Sequence, residues 1–113
     1  SSREGGMLPL LEAIDQLGPR ALADSTVVDR IVGRAAALLI SYFKAKEVYT
    51  RLLSRRAIEI LENHRIAYAA ERVVNVIRNK DDTDMCPFEK MVLRIDNPEE
   101  GYRKLKSELI GHT

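Results

Sequence analysis

Apolar positions along the chain follow two periods, and the switches between them mark its elements. Leu10, Leu11, Ile14 and Leu17 recur at helical spacing, so residues 8–17 are predicted to form a first helix, with Pro9 in its first turn and Gly18-Pro19 as its stop. A loop follows to Ser25. Over residues 27–43 the side chains Val28, Ile31, Val32, Ala35, Leu38, Leu39 and Tyr42 make one broad apolar face, with Arg30, Arg34 and Ser41 off it. This predicts a second helix, central in the fold. Thr26 and Asp29 resemble a capping box for it, with Asp in place of the usual Glu. Gly33 and the run Ala35-Ala36-Ala37 are small enough for that helix to approach a sheet closely.

The period then changes. Val48, Thr50 and Leu52 alternate with Tyr49, Arg51 and Leu53, which predicts a strand over residues 46–53. Ser54 fits the N-cap of a third helix with Ile58, Leu61 and Ile60 inward, ending at Asn63-His64-Arg65. Residues 66–70 read as a second strand, and 73–77 as either a strand or a short helix. A polar loop spans 79–84, a short helix 87–95 and a last helix 98–109, the last announced by Asn97-Pro98-Glu99-Glu100. The predicted order is α-α-β-α-β-α-α, with no internal repeat. Its central strand–helix–strand unit implies a right-handed crossover and parallel strands. Two strands are too few to cover so much apolar helix, so further strands lie in the chain, in a missing end or in a partner.

Composition narrows the function classes. A chain of 113 residues suits a single domain, with residues 1–6 as a tail. Net charge is +1 with 31% charged residues of both signs, which gives no one-signed patch for nucleic acid or an anionic membrane. Aromatics are 5%, too sparse for a base-stacking platform. One cysteine cannot form an internal disulfide, and neither a spanning apolar run nor a leader is present, so the expected location is the cytoplasm.

The chemistry concentrates in Asp84-Met85-Cys86-Pro87-Phe88-Glu89. Pro87 fits the first position of a helix, which puts Cys86 at its N-cap and Glu89 at the third helical position. A thiol there meets unpaired N–H groups and the positive end of the helix dipole, both of which favour thiolate. Glu89 could instead be the reciprocal half of a cap with Cys86, and Cys86 a small buried hydrophobe. Asp81, Asp82 and Asp84 alternate as in a calcium loop, but the glycine and closing glutamate spacing are wrong. His64 fits a helix C-terminus better than a ligand set.

From Thr26 to Leu109 the chain resembles a small prokaryotic family of uncharacterised proteins with a cytidine-deaminase-like fold. The runs that carry the resemblance are 27–39 (VVDRIVGRAAALL), 46–49 (KEVY), 78–90 (RNKDDTDMCPFEK) and 96–102 (DNPEEGY). It implies a three-layer α/β/α fold with a central mixed sheet, and an N-terminal hairpin of which residues 1–6 would be the remnant. Zinc deaminases carry H-x-E and P-C-x-x-C, and neither is present here. The resemblance implies no metal and no cofactor. It implies instead a polar site: Asp29, Cys86 and Glu89 as candidate catalytic groups, with Arg34 and Ser54 as candidate substrate-binding groups. Two departures bear on it. Arg34 stands where the family usually has Lys, and cannot readily lose its proton. Asp82 and Asp84 replace glycines of a D-G-T-G loop, which adds negative charge beside Cys86.

Each site residue also has a structural role open to it. Asp29 could be a first-turn acid and Arg34 a solvated or salt-bridged side chain. Two functions follow. One is a domain that binds or acts on a nucleotide-like or amino-group small molecule. The other is a non-catalytic interaction or regulatory module that keeps the fold. An open sheet edge predicts a homodimer, unless residues before Ser1 close that edge within one chain.

Overall fold

The computed structural model describes residues 7–75 and 87–109. The elements are α1 (Met7–Leu17), α2 (Pro19–Leu22), β1 (Thr26–Val32), α3 (Arg34–Tyr42), β2 (Glu47–Ser54), α4 (Arg55–Asn63), β3 (Ala67–Val74), α5 (Pro87–Met91) and α6 (Pro98–Leu109). The fold is mixed α/β, with a three-stranded sheet of order β1-β2-β3. Both pairings are parallel, with Val28 opposite Tyr49 and Tyr49 opposite Ala69. The tail at residues 1–6 and the polar loop at 79–84 lie outside the described residues, and no antiparallel strand of a mixed sheet is among those described.

The predicted second helix over 27–43 is corrected. Its first half is strand β1, and only Arg34–Tyr42 is helical. Five of the seven β1 residues (Thr26, Val27, Val28, Ile31, Val32) are β-branched, which favours an extended chain, and Gly33 separates them from the run of helix formers that follows. The capping box disappears with the helix. Thr26 Oγ1 donates to Glu47 Oε2 on β2 at 2.8 Å, and Asp29 lies mid-strand. This missing strand also answers the shortage noted above, and the order becomes α-α-β-α-β-α-β-α-α.

Other elements fall close to expectation. The strand predicted over 46–53 is β2, and the one over 66–70 extends to Val74 and takes in the start of the ambiguous 73–77 stretch. Ser54 caps α4, its Oγ accepting from Ala57 N at 3.0 Å. Asn97 caps α6 through Oδ1, which accepts from Glu100 N at 3.0 Å. The short helix predicted over 87–95 ends at Met91, for a reason that belongs to the site below.

Helix α3 is the hub. All residues from Arg34 to Ser41 are buried. It packs on β1, against α4, which itself lies on β2 and β3, and against α1 and α6. A helix apolar or small on every side can only be central. Gly101 lets α6 sit on Leu38: a Cβ there would meet Leu38 Cδ1 at 3.0 Å. Tyr42 and Tyr102 stack at 4.6 Å between centroids, and Lys106 Nζ bonds Asp15 Oδ1 at 2.9 Å, tying α6 to α1.

The two faces of the sheet differ. Val48 and Thr50 are buried beneath the helices, whereas the intervening row is open: Val28 is 77% exposed and Tyr49 47%, beside exposed Ala69. Val28 and Ile31, expected to face inward on a helix, are thus both exposed, while Ala35 and Leu39 are buried as expected.

Candidate functional site

The parallel strands all end on one side of the sheet, and there β1 and β2 turn directly into helices. Val32 pairs with Leu53, so Gly33 and Ser54, the N-caps of α3 and α4, lie side by side. Each helix start presents N–H groups that need an acceptor. Ser54 supplies its own hydroxyl to α4. Gly33 has no side chain to offer, and α3 is capped from a distance instead.

Glu89, on α5, provides that cap. Its Oε1 accepts from Arg34 N at 2.8 Å and its Oε2 from Ala35 N at 2.9 Å. The residue is 3% exposed. A carboxylate is the best-matched group for this position, since the helix N-terminus carries partial positive charge as well as free donors. Gly33 is required for space: a Cβ there would sit 2.6 Å from Glu89 Cδ and Oε2. Its φ of −104° is open to any residue. The sequence reading of Glu89 as a partner of Cys86 gives way to a bond across the fold. Cys86 itself lies outside the described residues.

Of the two structural roles open to Arg34, solvated or salt-bridged, the second is the one found: the side chain is buried, 5% exposed, and paired with acidic groups. Its guanidinium runs under the segment that follows α5. Nε donates to Val92 O at 3.0 Å and Nη2 to Ile95 O at 2.6 Å. Nη2 also bonds Asp96 Oδ1, and Nη1 lies 4.0 Å from Glu59 Oε1. The turn over 92–94 is stabilised by these bonds, because the fixed fork of Arg matches two carbonyls at once. That is why α5 stops at Met91. Val92 O receives Arg34 Nε and Ile95 N instead of the N–H of a continuing helix.

Asp29 is half-buried on β1, and its Oδ1 accepts from Arg30 N at 2.7 Å. Of the candidate set, Arg34 and Glu89 are brought together, with Ser54 next to them at the sheet end. Both oxygens of the buried Glu89 carboxylate are thus taken up by backbone N–H groups. Among the described residues there is no group of three His, Cys, Asp or Glu that could hold a metal ion. No described helix is long and apolar enough to cross a membrane.

Sequence patterns do not name Glu59, Asp96 or the carbonyls of Val92 and Ile95 as partners of Arg34, because none is within its local reach. A helix start at Gly33, with no side chain of its own to cap it, is the signal that points to a distant acceptor such as Glu89.

Among the described residues two titrating groups are shifted, both away from this site. Tyr68 is raised, first by its hydrogen bond to Glu62 Oε2 at 2.6 Å. Lys106 is raised, first by its bond to Asp15.

The chain belongs to the family described as a domain of unknown function, DUF1893, whose model matches residues 1–109. It is similar to the crystal structure of a DUF1893 family protein from Thermotoga maritima, with 28% identity and a TM-score of 0.80. The similarity covers 92% of this chain and 69% of that one. No functionally curated protein matches the chain.

Proposed function

We propose that this DUF1893 domain is a non-catalytic interaction module, in which the polar residues that resemble a reaction site hold the fold together. One observation carries the reading: both oxygens of Glu89 are taken up by the N-terminus of α3. Arg34 is likewise engaged by Val92 O, Ile95 O and Asp96. Neither side chain is free to bind or activate a substrate without opening the interior. A cytoplasmic location goes with this reading, supported by a single cysteine in 113 residues.

A second reading keeps a deaminase-like fold with a non-zinc site at Asp29, Cys86 and Glu89, taking a nucleotide-like or amino-group substrate. Position supports it. Ligands of open parallel sheets bind outside the carboxyl ends of the strands, where Gly33 and Ser54 meet.

Thermal denaturation of the purified protein with nucleosides, nucleotides and small amines separates the two. The interaction-module reading expects no ligand-dependent rise in Tm. A saturable rise, abolished by Cys86→Ala at an unchanged ligand-free Tm, would overturn it.

A further inference from the structure

We propose that the exposed face of the sheet is a homodimer interface, on which a second copy of the chain lays its own sheet with the strands reversed in direction. This names the partner of the interaction module proposed above and rests on that reading.

The first observation is the open face itself. Parallel sheets are almost always covered on both sides. Among the described residues, α3 and α4 pack together over one face, while Val28, Tyr49 and Ala69 form an exposed row across the other. A second sheet stacked about 10 Å away would supply the missing layer.

The second observation is how charge is arranged around that row. On β2, Glu47 lies two residues before Tyr49 and Arg51 two residues after it, which strand alternation puts on one face; that face is open as far as Arg51, and beyond it Val32 and Leu53 are buried. The 3.3 Å contact from Tyr49 Oη to Glu47 Oε1 agrees with a shared side. The face therefore runs negative, apolar, positive along its central strand. Local partners at both ends are exposed: Thr26 Oγ1 at 2.8 Å and Tyr49 Oη at 3.3 Å for Glu47, and Glu71 at 3.9 Å for Arg51.

Two-fold symmetry offers two ways to stack such a face on itself. An axis along the strands places Glu47 over Glu47 and Arg51 over Arg51, and like charges repel. An axis across the strands reverses them, so that Tyr49 meets Tyr49 and Glu47 of each copy meets Arg51 of the other, twice. The displacement of each charge from the axis is about 7 Å at ~3.3 Å per residue, within the reach of both side chains even with the sheets crossed by about 30°. Charge self-complementarity thus selects a second copy, and this one orientation of it. A partner of one-signed charge would find half of the face repulsive.

The test uses the full chain and two charge reversals, Glu47→Arg and Arg51→Glu. Sedimentation of the wild type from low to high micromolar should show a rise from the 12.8 kDa chain mass to twice that value. Each variant alone places like charges at both contacts and should remain a monomer with wild-type circular dichroism and with the Tm that the wild type shows when diluted to monomer. Mixed in equal amounts, the two should form a heterodimer, since position 47 of each variant then opposes a charge of the other sign at position 51 of its partner, at both contacts. A wild type that stays at the monomer mass would overturn the proposal, whether because the chain covers its own face or because another partner does. So would variants that dimerise alone as well as the wild type, or a mixture that does not associate. A monomer that binds no small ligand fails this proposal alone. A dimer of the predicted charge pattern that binds a small ligand at Cys86 fails the functional reading alone.

Discussion

Replacing Glu89 with Gln probes the cap on α3 with almost no change of volume. The carboxylate accepts from two backbone N–H groups, at 2.8 and 2.9 Å, in a buried position. Glutamine keeps one carbonyl oxygen for one of them, but its NH2 must face the other, donor against donor. Losing a charge-assisted hydrogen bond at a buried site costs about 1.5–3 kcal/mol. Removing the negative charge from the helix N-terminus adds up to about 1 kcal/mol. The expected loss is therefore about 3 kcal/mol, a large part of the roughly 5–15 kcal/mol that holds a domain folded. Urea unfolding followed by circular dichroism should show the midpoint falling by about 2 M with little change in slope. Because the pair is buried, the loss should be nearly the same at low and high salt. Gly33→Ala, whose Cβ would overlap Glu89, should cost stability in the wild type but almost nothing in Glu89→Ala, which removes the side chain it meets. A loss below about 0.5 kcal/mol for Glu89→Gln would refute the reasoning, since it is within the range of an ordinary surface substitution.

Three further outcomes concern other contacts of the fold. Arg34→Lys should destabilise by about 2 kcal/mol in urea unfolding, because one ammonium cannot reach both Val92 O and Ile95 O and leaves a buried carbonyl unpaired. Ser41→Ala should raise the urea midpoint by the equivalent of about 1 kcal/mol, since Ser41 Oγ is buried with no hydrogen-bond partner and Ala is the better helix former. The Tyr68 phenol should titrate above its ordinary 10.0 by ring NMR and fall back towards it in Glu62→Gln, which removes the charged partner but not the burial. The sign is that of a raised group: its small contribution is full below pH 10.0 and is lost as pH rises through the folded-state value, because the unfolded chain releases its proton first.

Legibility in the sequence followed the range of the interactions. Ser54, Asn97 and Pro98 mark helix starts through neighbours three residues away or fewer, and α4 and α6 were readable from them. Strand β1 was misread because Val28, Ile31 and Val32 happen to continue the helical phase of Ala35, Leu38 and Leu39. The β-branched run and Gly33 carry the strand signal, and the helical periodicity masks it. Glu89 and Arg34 were found as a polar pair with unassigned partners. Their bonds span 54 to 62 residues, and no local pattern states which backbone groups they satisfy. Exposure of the Tyr49 row was equally hidden, since alternation reveals two faces of a strand without saying which is covered.

Amide hydrogen exchange at Arg34 and Ala35 tests the central claim most directly, namely that Glu89 serves as the cap of α3. In the wild type these two N–H groups should exchange only with global unfolding, as slowly as those of Leu38 and Leu39. In Glu89→Gln they should exchange through local opening, orders of magnitude faster relative to Leu38 and Leu39. Rapid exchange of both amides in the wild type, or protection unchanged by the substitution, would contradict the account.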